Sequence, residues 1–342
     1  MVRENELDIS EILRGMTPGR LQSVGCMQVL PLIGDQNLFD EEIVSPGDKE
    51  QKSTLMTRNY GEMTFKNTTD KVLLVPCHVG YITKQRAQDH AMSRCGFVDK
   101  QKTKVFGDAM CIEQSQGGYI AEDQHRMMIL PYTLREKALK KRSERSFNKL
   151  WDDITEFNRS MGVSARAHLV DFLTHYEKQL DEFVAEFECV PQQTGAIILV
   201  GGHVVGFERA PNPRFWLDVW PALIRECYGS LAIKVAKEKK LPKNRIALDS
   251  GFTTLEELEV GLREAREKEE KATADIVRGL LDKPFSCKAE EGLLKYSIFT
   301  VENDQFSGQV VREGEKVCYA SLFTKSKWAE NAPWRESKKF AV

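Results

Sequence analysis

The chain has 342 residues, of which 41% are hydrophobic and 29% charged, with 49 basic side chains against 51 acidic ones. This composition excludes wholesale disorder, and the near balance of charge removes any whole-protein attraction to nucleic acid or to a membrane. No run of about 18 uninterrupted apolar residues occurs, and the acidic amino terminus lacks a signal-peptide core, so the expected setting is cytoplasmic.

The first half reads as β-rich. Residues 26–33, 54–60, 62–66 and 71–75 are short runs of branched and aromatic residues set apart by Gly, Asn, Asp and Pro, the spacing of a meander or sandwich. Residues 67–70 (NTTD) read as a four-residue hairpin loop between two of these strands. Residues 104–113 are predicted to close this half as one more strand.

From residue 143 the period changes. Phe147, Leu150, Trp151, Ile154, Phe157 and Met161 recur at helical steps and Gly162 ends the run. Ser164 is the predicted cap of a second helix carrying Leu169, Phe172, Leu173, Tyr176, Leu180, Phe183, Val184 and Phe187 on one stripe. TGAIILV and HVVGFE then flank Gly201 and Gly202, whose tolerance of positive φ marks a tight hairpin. Asn212 and Pro213 open a further helix that Pro221 should kink or restart. A basic linker (234–245) precedes Thr254, whose Thr-x-x-Glu order with Glu257 is a capping box for a long helix to about residue 281. Residues 294–301, 306–312 and 316–323 read as strands, the last two joined at Glu313-Gly314.

The predicted fold is α+β: a β-rich N-terminal half, a central helical pair, a Gly-Gly β-hairpin, a long helix and C-terminal antiparallel strands. The expected organisation is an N-terminal segment (1–20), one composite domain (21–325) and a flexible tail (326–342). Within the domain, 21–130 is β-rich, 143–283 holds the helices and hairpin, and 293–323 the closing strands.

Common catalytic and nucleotide-binding signatures are absent: no GxGxxG after a strand, no GxxxxGK[ST], no HExxH, no EF-hand and no GxSxG. The eight cysteines are scattered without a CxxC pair, so reduced thiols are expected and no metal site is predicted. The polar exit PCHVGYITKQR after the 71–75 strand could line a pocket, with Lys84 or Arg86 pairing to phosphate or carboxylate and His78 near its proton-transfer range; an exposed loop is the plainer alternative. In strand alternation Cys111 and Glu113 share a face, with Gln114 next, although a neighbouring Glu raises a thiol pKa and a small buried Cys is the commoner outcome. Gln193 could recognise a ligand by its amide or simply cap a strand entry. The basic run between Arg135 and Arg145 lacks interleaved aromatic residues, so a solvated linker outweighs a nucleic-acid surface.

Several segments together resemble a known family: VLPLIGD (29–35), KVLLVP with Gly80 (71–80), Lys84-Gln85, MCIEQ with Gly117-Gly118 (110–118), SFNKLWDDI (146–154), QTGAIILVGGHVVGFE (193–208) and the closing SGQVV and KVCYASLF (307–323). They are similar to the ARG and Rhodanese-Phosphatase-superfamily-associated Protein domain, a family of bacteria and phages, over about residues 21–323. The name associates it with ADP-ribosylglycohydrolase, so the resemblance implies a role linked to NAD or ADP-ribose, and host cytoplasm if the chain is phage-encoded. A typical member is expected to carry Gly-Glu where this chain has Cys77-His78, and a His near Tyr319. The ensuing expectation is a small phosphorylated ligand bound by His78, Lys84, Gln85, Arg86, Gln114 and Gln193, with Glu113 and Cys111 as catalytic candidates. No particular cofactor is implied. The alternative is a non-catalytic protein that binds RNA or another protein.

Overall fold

The computed structural model describes residues 7–47, 54–56, 59–83, 89–114, 125–239 and 254–326. Lys84, Gln85, Arg86, Gly117, Gly118, residues 240–245 of the basic linker and the tail from 327 lie outside the described residues. Chain order begins with α1 (Ile9–Leu13), β1 (Met16–Pro18), β2 (Gln22–Val24), β3 (Met27–Gly34), β4 (Ile43–Val44), β5 (Thr54–Met56), β6 (Met63–Lys66), β7 (Val72–Val75) and β8 (Val79–Thr83). It continues with β9 (His90–Ala91), β10 (Gly96–Val98), β11 (Thr103–Phe106), β12 (Met110–Cys111), β13 (His125–Ile129), α2 (Tyr132–Lys140), α3 (Trp151–Met161), α4 (Leu169–His175) and α5 (Glu177–Glu186). The last third holds β14 (Gln193–Val200), β15 (His203–Arg209), α6 (Pro213–Ala222), α7 (Gly229–Lys239), α8 (Leu255–Arg278), β16 (Ser286–Leu293), β17 (Tyr296–Glu302), β18 (Phe306–Glu313) and β19 (Lys316–Thr324).

This is an α+β architecture organised by one nine-stranded sheet, ordered β1-β3-β14-β15-β19-β18-β17-β16 with β2 also on β3. Strands from the beginning, middle and end of the sequence therefore lie side by side. β14 runs as an unbroken apolar stretch because both faces of the sheet are covered. Ala196, Ile198 and Val200 join the core shared with β7, β10, α6 and α7, while Ile197 and Leu199 meet α1, Leu280 and Phe285. Three small sheets flank it, and α3, α4 and α5 pack on the one ordered β12-β9-β8-β13.

The Gly-Gly hairpin forms as predicted, with Gly201 at φ 63° and Gly202 at φ 82°. Gly162 ends α3 in the left-handed conformation, Asn212 accepts from the Phe215 amide to cap α6, and Thr254 and Glu257 make the capping box of α8. After Pro221 the helix neither stops nor restarts: it widens into a π turn over Leu223–Tyr228 and runs on into α7. The wide turn places Glu226 inside, against Arg126 and Arg225.

Other expectations need correction. Residues 67–70 are not a hairpin loop, since β6 and β7 belong to different sheets. The Asn67 amide donates to the carbonyls of Lys71, Val98 and Asp99, which fixes a crossover there. The strand expected over 104–113 breaks at Gly107-Asp108 into β11 and β12, again in separate sheets. Ser164 caps no helix: its hydroxyl bonds Asp171, and the following helix starts at Leu169 and divides at Tyr176. β16, a charged edge strand (SCKAEEGL), carries no apolar alternation and so escapes pattern reading. The run from Arg135 is not a solvated linker, because it begins within α2 and Arg135 is wholly buried.

Candidate functional site

The extended segment 110–114 is threaded between two parts of the chain. The Ile112 amide donates to Asp89 O at 3.0 Å, Leu169 N to Ile112 O at 3.1 Å, and Gln114 N to Ala167 O at 2.8 Å. This small ladder sets Glu113 against His168, the residue that precedes α4. The Glu113 carboxylate accepts from the Val170 amide at 2.6 Å through Oε1, and its Oε2 lies 3.0 Å from His168 Nδ1. Glu113 is 2% exposed, whereas the His168 side chain keeps 21% exposure, so the pair connects the interior to solvent.

Electrostatics sets their protonation. Burial, with the nearby charges of Asp89 and Asp171, pushes the Glu113 carboxyl up to about 8. Burial and the Arg166 guanidinium hold His168 below its ordinary value. At neutral pH the corner therefore holds a protonated carboxyl beside a neutral imidazole, one donor and one acceptor. Cys111 lies beneath, its Sγ donating to the Glu113 carbonyl at 3.1 Å. Burial, reinforced by the charges of Glu113 and Asp89, pushes this thiol up to about 12, so it stays protonated. Gln114 is exposed at the same corner.

The other expected site residues go elsewhere. Gln193 is buried, with Nε2 donating to Gly195 O at 2.9 Å and Oε1 accepting from Val190 N at 3.0 Å, so its amide is spent on the entry to β14. His78 immediately precedes β8, inside a buried polar network. Arg135 Nε donates to His78 Nδ1 at 3.2 Å, which leaves the ring proton of a neutral His78 on Nε2. Arg135 also pairs with Glu208 at 2.9 Å; Tyr228 Oη and the Ser321 hydroxyl donate to the same carboxylate at 2.7 and 2.6 Å. A charge pair this deep is tolerated because each Glu208 oxygen has a donor. The turn that delivers His78 is unusual: Val79 N bonds Pro76 O, and His78 takes φ 63°, a position that favours glycine.

Sequence reading missed His168 and Arg135. Arg135 was legible in principle, since it shares a helical stripe with Tyr132 and Leu139, both buried. His168 carried no signal beyond its proximity to the cap of a helix whose start was misplaced. Three more cations of the basic run pair with acids: Lys140 with Glu136, Lys141 with Asp153 and Arg142 with Glu290, each at 2.6 Å. One group with metal-ligand chemistry occurs among the described residues, Asp40, Glu313 and Cys318, with ligand atoms within 4.8 Å of one another. Asp40 there accepts from Tyr296 Oη at 2.8 Å and Glu313 pairs with Lys295 at 2.8 Å, so protein donors already serve these carboxylates. No helix among the described residues is long and apolar enough to cross a membrane.

Fold and corner together define an α+β protein with a buried carboxyl–imidazole pair at the junction of a small sheet and a helical layer. Residues 15–323 match the sequence profile of the ARG and Rhodanese-Phosphatase-superfamily-associated Protein domain, ARPP-1, and the chain belongs to this family. No curated protein and no solved structure matches it.

Proposed function

We propose that the chain is a ligand-binding or hydrolytic protein linked to NAD or ADP-ribose, acting at the Glu113–His168 corner. The observation that carries this reading is the 3.0 Å pair itself, a carboxyl kept protonated near neutrality beside a partly exposed neutral imidazole. Cleaving an ADP-ribose-type linkage requires a proton for the leaving group and a base for water, and such a pair supplies both. Lys84 and Arg86, which follow β8 in the sequence, would neutralise phosphate, while Gln85 and Gln114 would orient polar groups of the ligand. The family's association with ADP-ribosylglycohydrolase points to the same ligand class.

The test is calorimetry and product analysis with NAD and ADP-ribose. Lys84→Ala should weaken binding, and Glu113→Gln should spare binding and abolish turnover, because a Gln oxygen can still accept from the Val170 amide. Absence of binding at millimolar ligand, or turnover indifferent to Glu113→Gln, would overturn the proposal.

A further inference from the structure

We propose that Cys77 and Cys95 form a redox-active dithiol, in which a hydroperoxide oxidises Cys77 and Cys95 resolves it to a disulfide. The pair lies in the core beneath the large sheet, away from the Glu113 corner, so this inference is independent of the proposed function.

The backbone brings the two thiols together. β7 and β10 pair antiparallel with Gly96 opposite Val75, so Cys95 adjoins the last pair of the ladder and Cys77 lies two residues beyond it on the facing strand. One Gln309 oxygen holds both residues, accepting from Cys95 N at 2.6 Å and lying 3.6 Å from Cys77 Sγ. The two thiols are close enough to shift each other's protonation. On the other side of Cys77 the His78 ring approaches its sulfur at 3.5 Å (Nδ1) and 3.7 Å (Nε2), a placement that depends on the left-handed backbone at His78. Non-glycine residues held in such conformations cluster at functional sites. Beside Cys77 lies a cavity of about 10 Å³, lined also by Glu208, Tyr319 and Ser321, at the lower limit of what one water needs.

Charge separates the roles of the two sulfurs. Burial pushes Cys77 up, yet the neighbouring Cys95 thiol, the His78 ring and the Arg135 guanidinium outweigh it and hold the thiol well below the ordinary range. Burial and the proximity of Cys77 raise Cys95. Cys77 is thus the attacking thiolate. Its sulfur bonds to one peroxide oxygen as the O–O bond breaks, and the departing hydroxide takes up the proton that Cys77 gave away, leaving sulfenic acid and water. The Cys95 sulfur then attacks the Cys77 sulfur, the S–O bond breaks, and the second water leaves with the Cys95 proton. The two thiols lose two electrons, and one peroxide is reduced to two waters.

The experiment treats the folded, full-length chain with hydrogen peroxide, alkylates remaining thiols after denaturation and maps the peptides. The expected result is a Cys77–Cys95 linkage removed by dithiothreitol, and with Cys95→Ser a dimedone adduct on Cys77. Both residues recovered alkylated under conditions that oxidise any of the other six cysteines, or Cys77 linked to one of those, would overturn the inference. The map of the unsubstituted chain decides on its own if Cys95→Ser does not fold.

Discussion

The backbone amide of Cys77 donates to the phenolic oxygen of Tyr319 at 3.0 Å, across 242 residues of sequence. These are two places where the chain departs from the pattern its family resemblance leads one to expect, Cys77-His78 for Gly-Glu and Tyr319 for His. They meet in space, so the departures amount to one local exchange: an acid and an imidazole give way to a thiol–imidazole pair closed by a phenol. Burial raises the Tyr319 hydroxyl further, so it remains a neutral partner to the amide.

Glu113 sets a pH dependence of stability. Its folded carboxyl titrates at about 8 against an ordinary 4.5, so between those values the folded state holds a proton that the unfolded chain has released. The contribution is complete below about pH 4.5 and is lost as pH rises toward 8, a decline on the order of 5 kcal/mol. Glu113→Gln should flatten that slope in urea unfolding at about pH 5 and about pH 8. A slope unchanged by the substitution would refute the assignment.

Removing one member of the buried ion pair should cost far more than removing both. Arg135→Met leaves Glu208 charged and without its cation in the core, a loss of about 3–5 kcal/mol. Adding Glu208→Gln should recover part of it. Chemical denaturation of the three variants is the check, and a double variant no more stable than Arg135→Met would contradict the argument.

Gly206 is a glycine because Tyr228 occupies the space of its missing side chain. A Cβ there would overlap Tyr228 Oη, the atom that donates to Glu208. Gly206→Ala should therefore lower stability by about 1–3 kcal/mol. Tyr228→Phe in that background removes the nearest clashing atom and should restore part of the melting temperature; no recovery would place the strain elsewhere.

The long helix α8 depends on local terms, since Thr273 is its one buried residue. Thr254→Ala removes the cap hydroxyl at a cost of about 1 kcal/mol to that helix. Faster amide exchange over its first turns, with the large sheet unaffected, is the expected outcome.

Much of the fold was legible where chemistry is local. Glycine turns, Asn and Thr caps and the stripe of α3 depend on a few adjacent residues, and they stand where the pattern put them. The small sheets were not, because Asn67 and Asp108 direct the chain through partners far away in sequence. The candidate site divides the same way. Alternation placed Cys111 and Glu113 together, but His168 reaches Glu113 only through a ladder between residues more than fifty positions apart. Arg135 looked solvated because charge suggests water; a helical stripe shared with Tyr132 and Leu139 carried the opposite message.

The order of strands in the large sheet also bears on how the protein is made. β15 is flanked by β14, synthesised just before it, and by β19, synthesised last among the described strands. Until that final strand has left the ribosome, one edge of β15 stands open and Glu208 lacks the hydroxyl of Ser321. The nascent chain must therefore carry an unpaired strand edge and a half-satisfied charge from the completion of β15 at Arg209 until β19 is made, and a chaperone's protection would matter most in that interval.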